Sequence, residues 1–168
     1  MKSTTKNLIF LVDDDQICSM MAANRLSKID NVEIKVFTTG EDMLQELELN
    51  PNLLVLDYNL NSNDINAMDG KGVMEALMRK NKNFPIILLS GQKDIGTAVD
   101  LLKFNASDYI SKGEGDLDKL ESSVQKILKM QELNSMVNSN TNESTKIKKK
   151  MFISCSIFIL IILGIFLF

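Results

Sequence analysis

The 168-residue chain has no histidine and no tryptophan, and only two cysteines and two prolines. Without histidine it lacks both the commonest general base and the commonest zinc ligand, which excludes Ser–His and Cys–His hydrolases and His-ligated zinc enzymes. Cys18 falls in a predicted helix and Cys155 in an apolar tail. Neither a disulfide framework nor a Cys-rich metal site follows, and the chain reads as cytosolic. Basic stripes interleaved with aromatics are also missing. Residues 1–140 hold 15 basic against 21 acidic side chains, so direct binding to nucleic acid is not expected. Nor is a signal peptide expected: Met1–Asn7 is polar, and the apolar run after it meets Asp13, Asp14 and Asp15 within five residues. Any chemistry must run on carboxylates.

What is present alternates in period. Continuous apolar runs at Leu8–Val12, Leu53–Leu56 and Ile86–Leu89, each closed by a polar residue, predict strands buried on both faces; weaker strand signals lie at Glu33–Phe37 and Ser107–Ile110. Helical spacing predicts helices over Ile17–Ile29, Glu41–Leu49, Gly72–Lys80, Ile95–Phe104 and about Leu117–Leu133. Thr39 or Gly40 before Glu41, and Asp94 before Ile95, supply helix-start groups, while Pro51 and Pro85 stand where a missing N–H costs little. Five β-α repeats call for a parallel sheet with helices on both faces.

The C-terminal part has another character. Residues 134–145 are rich in Asn, Ser and Thr, a tether composition, and Lys146, Lys148, Lys149 and Lys150 follow. Residues 151–168 carry no charge at all. Eighteen helical residues span about 27 Å, at the short end for a hydrocarbon core of roughly 30 Å. The expected organisation is a globular domain over 1–133, a polar then basic linker over 134–150, and a single transmembrane helix over 151–168. The lysine cluster should keep the domain on the cytoplasmic side.

In a doubly wound parallel sheet, ligands bind beyond the carboxyl ends of the strands. Asp13, Asp14 and Asp15 end the first strand, Asp57 the third and Ser90 the fourth, and Lys112 follows the fifth. If the strand order is 2-1-3-4-5, Asp13, Asp14 and Asp57 converge. Crowded carboxylates repel, and a hard divalent cation such as Mg²⁺ would keep them ionised.

The segments LIFLVDDD, LLVLDYN, PIILLSG and ASDYISK, in that order, resemble the receiver domain of bacterial response regulators over about Leu8–Met130. The resemblance implies a flavodoxin-like (βα)5 fold with strand order 2-1-3-4-5. It implies Asp57 as the residue that accepts a phosphoryl group, and Mg²⁺ held by Asp14 directly, Asp13 through water, Asp57, and the carbonyl of Asn59. Ser90 and Lys112 would bond phosphoryl oxygens, and Ser90 with Tyr109 would form the switch. The implied partners are a histidine kinase or phosphotransfer protein, an unknown downstream protein, the membrane, and a second copy in a homodimer. As an enzyme the chain would act only in its own phosphoryl transfer and hydrolysis. Two departures stand out. Gly113 replaces the family's usual cis proline after the lysine, and the Tyr58–Gly70 loop is longer than usual and lacks its proline, with Asn61, Asn63 and Asp64 either covering the pocket or extending into solvent. Two other readings stay open: a receiver-like interaction module that is never phosphorylated, and a haloacid-dehalogenase-like phosphatase using Asp13 and Asp15.

Overall fold

The computed structural model describes residues 6–60, 67–80, 84–91, 104 and 106–138. The chain divides into two units, Met1–Leu128 and Lys129–Phe168. In the first, five strands form one parallel sheet: β1 (Asn7–Val12), β2 (Val32–Phe37), β3 (Leu53–Asp57), β4 (Ile86–Ser90) and β5 (Asp108–Ser111). Their spatial order is β2-β1-β3-β4-β5, the order required for the first and third strands to be neighbours. Between them lie α1 (Gln16–Leu26), α2 (Gly40–Gln45), a 3-10 turn (Leu47–Leu49) and α3 (Gly70–Arg79), and residues 116–128 are helical after β5.

Alternation along the strands sorts the core into two layers. Phe10, Val12, Leu54, Leu56 and Leu88 pack with Met43, Val73, Leu77 and Phe104 on one face. Ile9, Leu11, Val55, Ile87 and Leu89 pack with Ala22, Leu26, Leu120 and Val124 on the other. Each fully buried Leu or Ile contributes about 1.5–3 kcal/mol, and both faces are filled, so the strands read as unbroken apolar runs. The cost of sliding one strand by a residue is therefore high, and the polar residues that end the strands are held in register.

Helix starts are set by side-chain caps. Asp15 accepts from the N–H groups of Ile17 and Cys18, Thr39 from Asp42, and Asp69 from Gly72. The second predicted helix is shorter than expected: α2 stops at Gln45, and the rest becomes the 3-10 turn, closed by Asn50 in a left-handed conformation (φ 52°) before Pro51. At the α2–α3 contact a Cβ on Gly40 would sit 2.2 Å from Val73 Cγ2, so glycine sets how closely these helices approach.

In the second unit residues 129–138 are helical, so helix continues past Leu133 into the stretch expected to be tether. The Lys129–Glu132 ion pair at 2.7 Å and the Ser135 hydroxyl, which donates to the Glu132 carbonyl at 2.7 Å, support it locally. The helix expected over Ile95–Phe104, apart from Phe104 itself, and the span expected over 151–168 lie outside the described residues. Among the described residues no helix is long and apolar enough to cross a membrane.

Candidate functional site

Register carries the predicted residues to one edge of the sheet. Val12 pairs with Leu56, Asp57 with Leu89, and Ser90 with Ser111, so Asp13, Asp57, Ser90 and Lys112 emerge side by side at the carboxyl ends of adjacent strands. Their backbones are tied across: Asp13 N–H donates to the Phe37 carbonyl at 3.1 Å, Tyr58 N–H to Leu89 at 2.8 Å, and Lys112 N–H to Ser90 at 2.8 Å. Asp13 is 1% and Asp57 5% exposed, so both carboxylates are withdrawn from solvent. Asp14 is exposed at the rim.

Carboxylate oxygens of Asp13, Asp14 and Asp57 lie within 4.8 Å of one another. This crowding is offset from within the chain. The Lys112 ammonium bonds Asp13 Oδ2 at 2.8 Å and Asp57 Oδ2 at 2.9 Å. The second oxygen of each acid takes a backbone donor: Asp15 N–H reaches Asp13 Oδ1 at 2.9 Å, and Asn59 N–H reaches Asp57 Oδ1 at 3.1 Å. Burial pushes the Asp13 carboxyl above the ordinary aspartate value, against the opposing pull of Lys112 and the Asp15 N–H. Burial alone would lower Lys112, but its bonds to Asp13 and Asp57 outweigh that and hold it above the usual lysine range. Lys112 therefore stays charged throughout the physiological range.

The donor set suits a hard cation. Mg²⁺ takes oxygen ligands and usually keeps several waters, and three carboxylates within 4.8 Å of one another offer such oxygens. Asp13, Asp14 and Asp57 fit such an ion, and Asn59 lies beside the pocket through its bond to Asp57.

Asp15 plays another part. Both its oxygens serve the start of α1, accepting from Ile17 N–H at 2.8 Å and Cys18 N–H at 3.1 Å, with the Cys18 thiol at 3.4 Å. Bonds from the Cys18 backbone, the Cys18 thiol and the Ile17 backbone hold its carboxyl below the usual range. Asp15 thus serves as the N-cap of α1. Ser90, the last residue of β4, is fully buried. Tyr109, in β5, is half-buried against the core layer that includes Phe104. Asn61, Asn63 and Asp64 lie outside the described residues.

One residue beside the site was not anticipated. A Cβ on Gly70 would meet the Asp57 carbonyl at 2.5 Å and Tyr58 Cα at 2.7 Å, so α3 begins directly on the backbone of the central aspartate. Glu41 reinforces this approach by accepting from Met68 N–H at 2.8 Å. A glycine placed just after a capping Asp is the sequence signal for such a contact.

The sequence profile of the response regulator receiver domain matches residues 9–125. This chain belongs to that family. The receiver is 31% identical over 138 residues to a probable transcriptional regulator, ycf27, of Cyanophora paradoxa, covering 82% of this chain and 54% of the relative. It is 34% identical over 106 residues to a putative NtrX-like response regulator of Rickettsia conorii, covering 62% of this chain and 21% of the relative. The chain thus spans about half and about a fifth of these two proteins. In structure it is similar to the signal receiver domain of a putative LuxO repressor from Vibrio parahaemolyticus, with a TM-score of 0.68 and 24% identity over 79% of this chain and 97% of that one. The receiver fold of two-component signalling, with its five parallel strands and acidic pocket, is thereby established for this chain.

Proposed function

We propose that this receiver takes a phosphoryl group on Asp57 from a phosphohistidine on a histidine kinase or phosphotransfer protein. The observation that carries the reading is the state of Asp57, buried at the end of β3 with one oxygen on the Lys112 ammonium and the other on the Asn59 N–H. A carboxylate held this way is oriented and screened from water. An Asp57 oxygen attacks phosphorus, the new P–O bond forms as the donor P–N bond breaks, and the imidazole leaves with the electron pair. Lys112 can exchange its hold on Asp57 Oδ2 for a phosphoryl oxygen, and the Ser90 hydroxyl, on the neighbouring strand end, can donate to another. Bound Mg²⁺ would offset the negative charge that Asp13, Asp14 and the phosphoryl oxygens bring together.

Movement of Ser90 toward the phosphoryl group would draw Tyr109 inward and change the face made by β5 and the helix after it. Residues 151–168, with the lysines before them, would hold the domain at the cytoplasmic face of a membrane, where a downstream protein reads the change. The chain then acts on no substrate other than its own acyl phosphate.

The test uses the full chain in detergent with Mg²⁺ and acetyl phosphate. Wild type should gain the mass of one phosphoryl group, in a form released by hydroxylamine, and Asp57→Asn should gain none. Absence of label on the wild type would return the reading to an interaction module that is never phosphorylated. Fractionation of cells expressing the full chain or residues 1–150 tests the anchor, since only the full chain should pellet with membranes after a high-salt wash.

A further inference from the structure

Lys112 is followed by Gly113 where the family usually has proline, and the chain there follows a path that favours glycine. Gly113 has φ +145° and Gly115 φ +73°, and nothing lies within 4 Å of a Cβ at either, so backbone angle rather than crowding is the constraint. A segment with two glycines has much conformational freedom to lose, and Lys112 reaches its carboxylates from the start of it. One side chain closes the loop. Gly113 N–H donates to Asp116 Oδ2 at 3.0 Å, and Asp116 N–H donates back to the Gly113 carbonyl at 3.1 Å. On the other side Lys112 N–H is fixed to Ser90. Asp116, Lys112 and Asp13 line the same small cavity.

We propose that Asp116 is a positioning residue for Lys112. Its carboxylate locks the 113–116 loop and so fixes the backbone from which the ammonium spans Asp13 and Asp57. This rests on the reading of Asp57 as phosphoryl acceptor. A plainer role, an acidic group favourable at the start of the helix that begins at residue 116, depends on charge. The lock depends on an acceptor oxygen, which an asparagine retains.

The experiment compares wild type, Asp116→Ala and Asp116→Asn as full chains in detergent, following the initial rate of labelling by acetyl phosphate and, by calorimetry, Mg²⁺ affinity. Asp116→Ala should slow labelling about five- to tenfold, the worth of one ordinary, solvent-exposed hydrogen bond. It should also bind Mg²⁺ more tightly, because a loosened Lys112 competes less well for the carboxylates. Asp116→Asn should restore both values to within about twofold of wild type, a difference too small to reflect a lost hydrogen bond. Wild-type labelling by Asp116→Ala, failure of Asp116→Asn to rescue, or weaker Mg²⁺ binding by Asp116→Ala would each overturn the proposal. If the wild type takes no label, the functional reading fails by itself, and the Mg²⁺ arm still decides: tighter binding by Asp116→Ala upholds the positioning of Lys112, and unchanged binding removes it. A wild type that neither labels nor binds Mg²⁺ removes both.

Discussion

Replacing Lys112 with methionine keeps most of the side chain's volume and removes the one charge that holds the pocket together. In the cation-free protein, Asp13 and Asp57 would be left 1% and 5% exposed with no counter-charge between them. Breaking a buried ion pair from one side costs about 3–5 kcal/mol. Lys112 itself is 23% exposed, so some water reaches the pair and the lower end, about 3 kcal/mol, applies. For a domain of this size that is roughly a 10 °C fall in Tm. The pH dependence has a definite sign. The folded-state value of Lys112 is raised, so its contribution is fully present below the ordinary lysine value and is lost only as pH rises through the folded value; from neutral to moderately alkaline pH the deficit should be flat. Asp13 is also raised, chiefly by burial, and loses its lowering partner in the variant. A raised carboxyl stabilises the fold when protonated, and that stability is lost as pH rises through the folded value. Acidification should therefore help the variant more than the wild type, and the gap should narrow below neutral pH. Thermal unfolding in EDTA across this range measures it. A variant that melts within about 1 °C of wild type at neutral pH, or a gap that widens on acidification, refutes the reasoning, since either sign would contradict a pair worth kilocalories.

Other changes probe the supports of the site. Gly70→Ala should cost about 1–3 kcal/mol, because its Cβ would fall on the backbone of Asp57 and Tyr58 rather than on a movable side chain, and it should slow labelling by acetyl phosphate as well as lower the urea midpoint. Asp69→Ala, which removes the α3 cap on Gly72 N–H, should cost about 1 kcal/mol in urea unfolding and leave labelling near wild type. Leu88→Ala, at a fully buried position of β4, should cost about 2–5 kcal/mol by the same measurement.

The sheet was legible because strands buried on both faces leave uninterrupted apolar runs, and the polar residue that stops each run marks the carboxyl edge. Asp13, Asp57 and Ser90 were thus placed at strand ends by the pattern of apolar runs, and the sheet order brings them together. Lys112 was assigned a role toward a phosphoryl group, yet its bridge across Asp13 and Asp57 was not foreseen: electrostatic crowding was expected to be relieved by a cation, and sequence does not say whether a distant ammonium can reach. Gly70 and Asp116 escaped notice for a related reason. Both act on backbone at short range, one by lacking a Cβ and one by capping an N–H, and neither leaves a periodic signal. The helix past Leu133 was hidden by Asn and Ser, whose weak helical preference is overridden here by local pairs such as Lys129–Glu132.

The lysine bridge also bears on how a cation enters. Mg²⁺ and the Lys112 ammonium would draw on the same two carboxylates, Asp13 and Asp57, so the two would compete. Two unit charges 4 Å apart interact by about 1 kcal/mol even in water, and a divalent ion doubles that. Removing the ammonium should therefore tighten Mg²⁺ binding about thirtyfold, the equivalent of about 2 kcal/mol. Lys112→Met should then show an inversion, with firmer cation binding by calorimetry and a slower gain of phosphoryl group from acetyl phosphate, because the ammonium that opposes the cation's entry is also the charge that would stabilise the transferred group. The opposite pattern, weaker Mg²⁺ binding in Lys112→Met, would mean that the ammonium gathers the carboxylates instead of contesting them, and the electrostatic account of the pocket would have to be reversed.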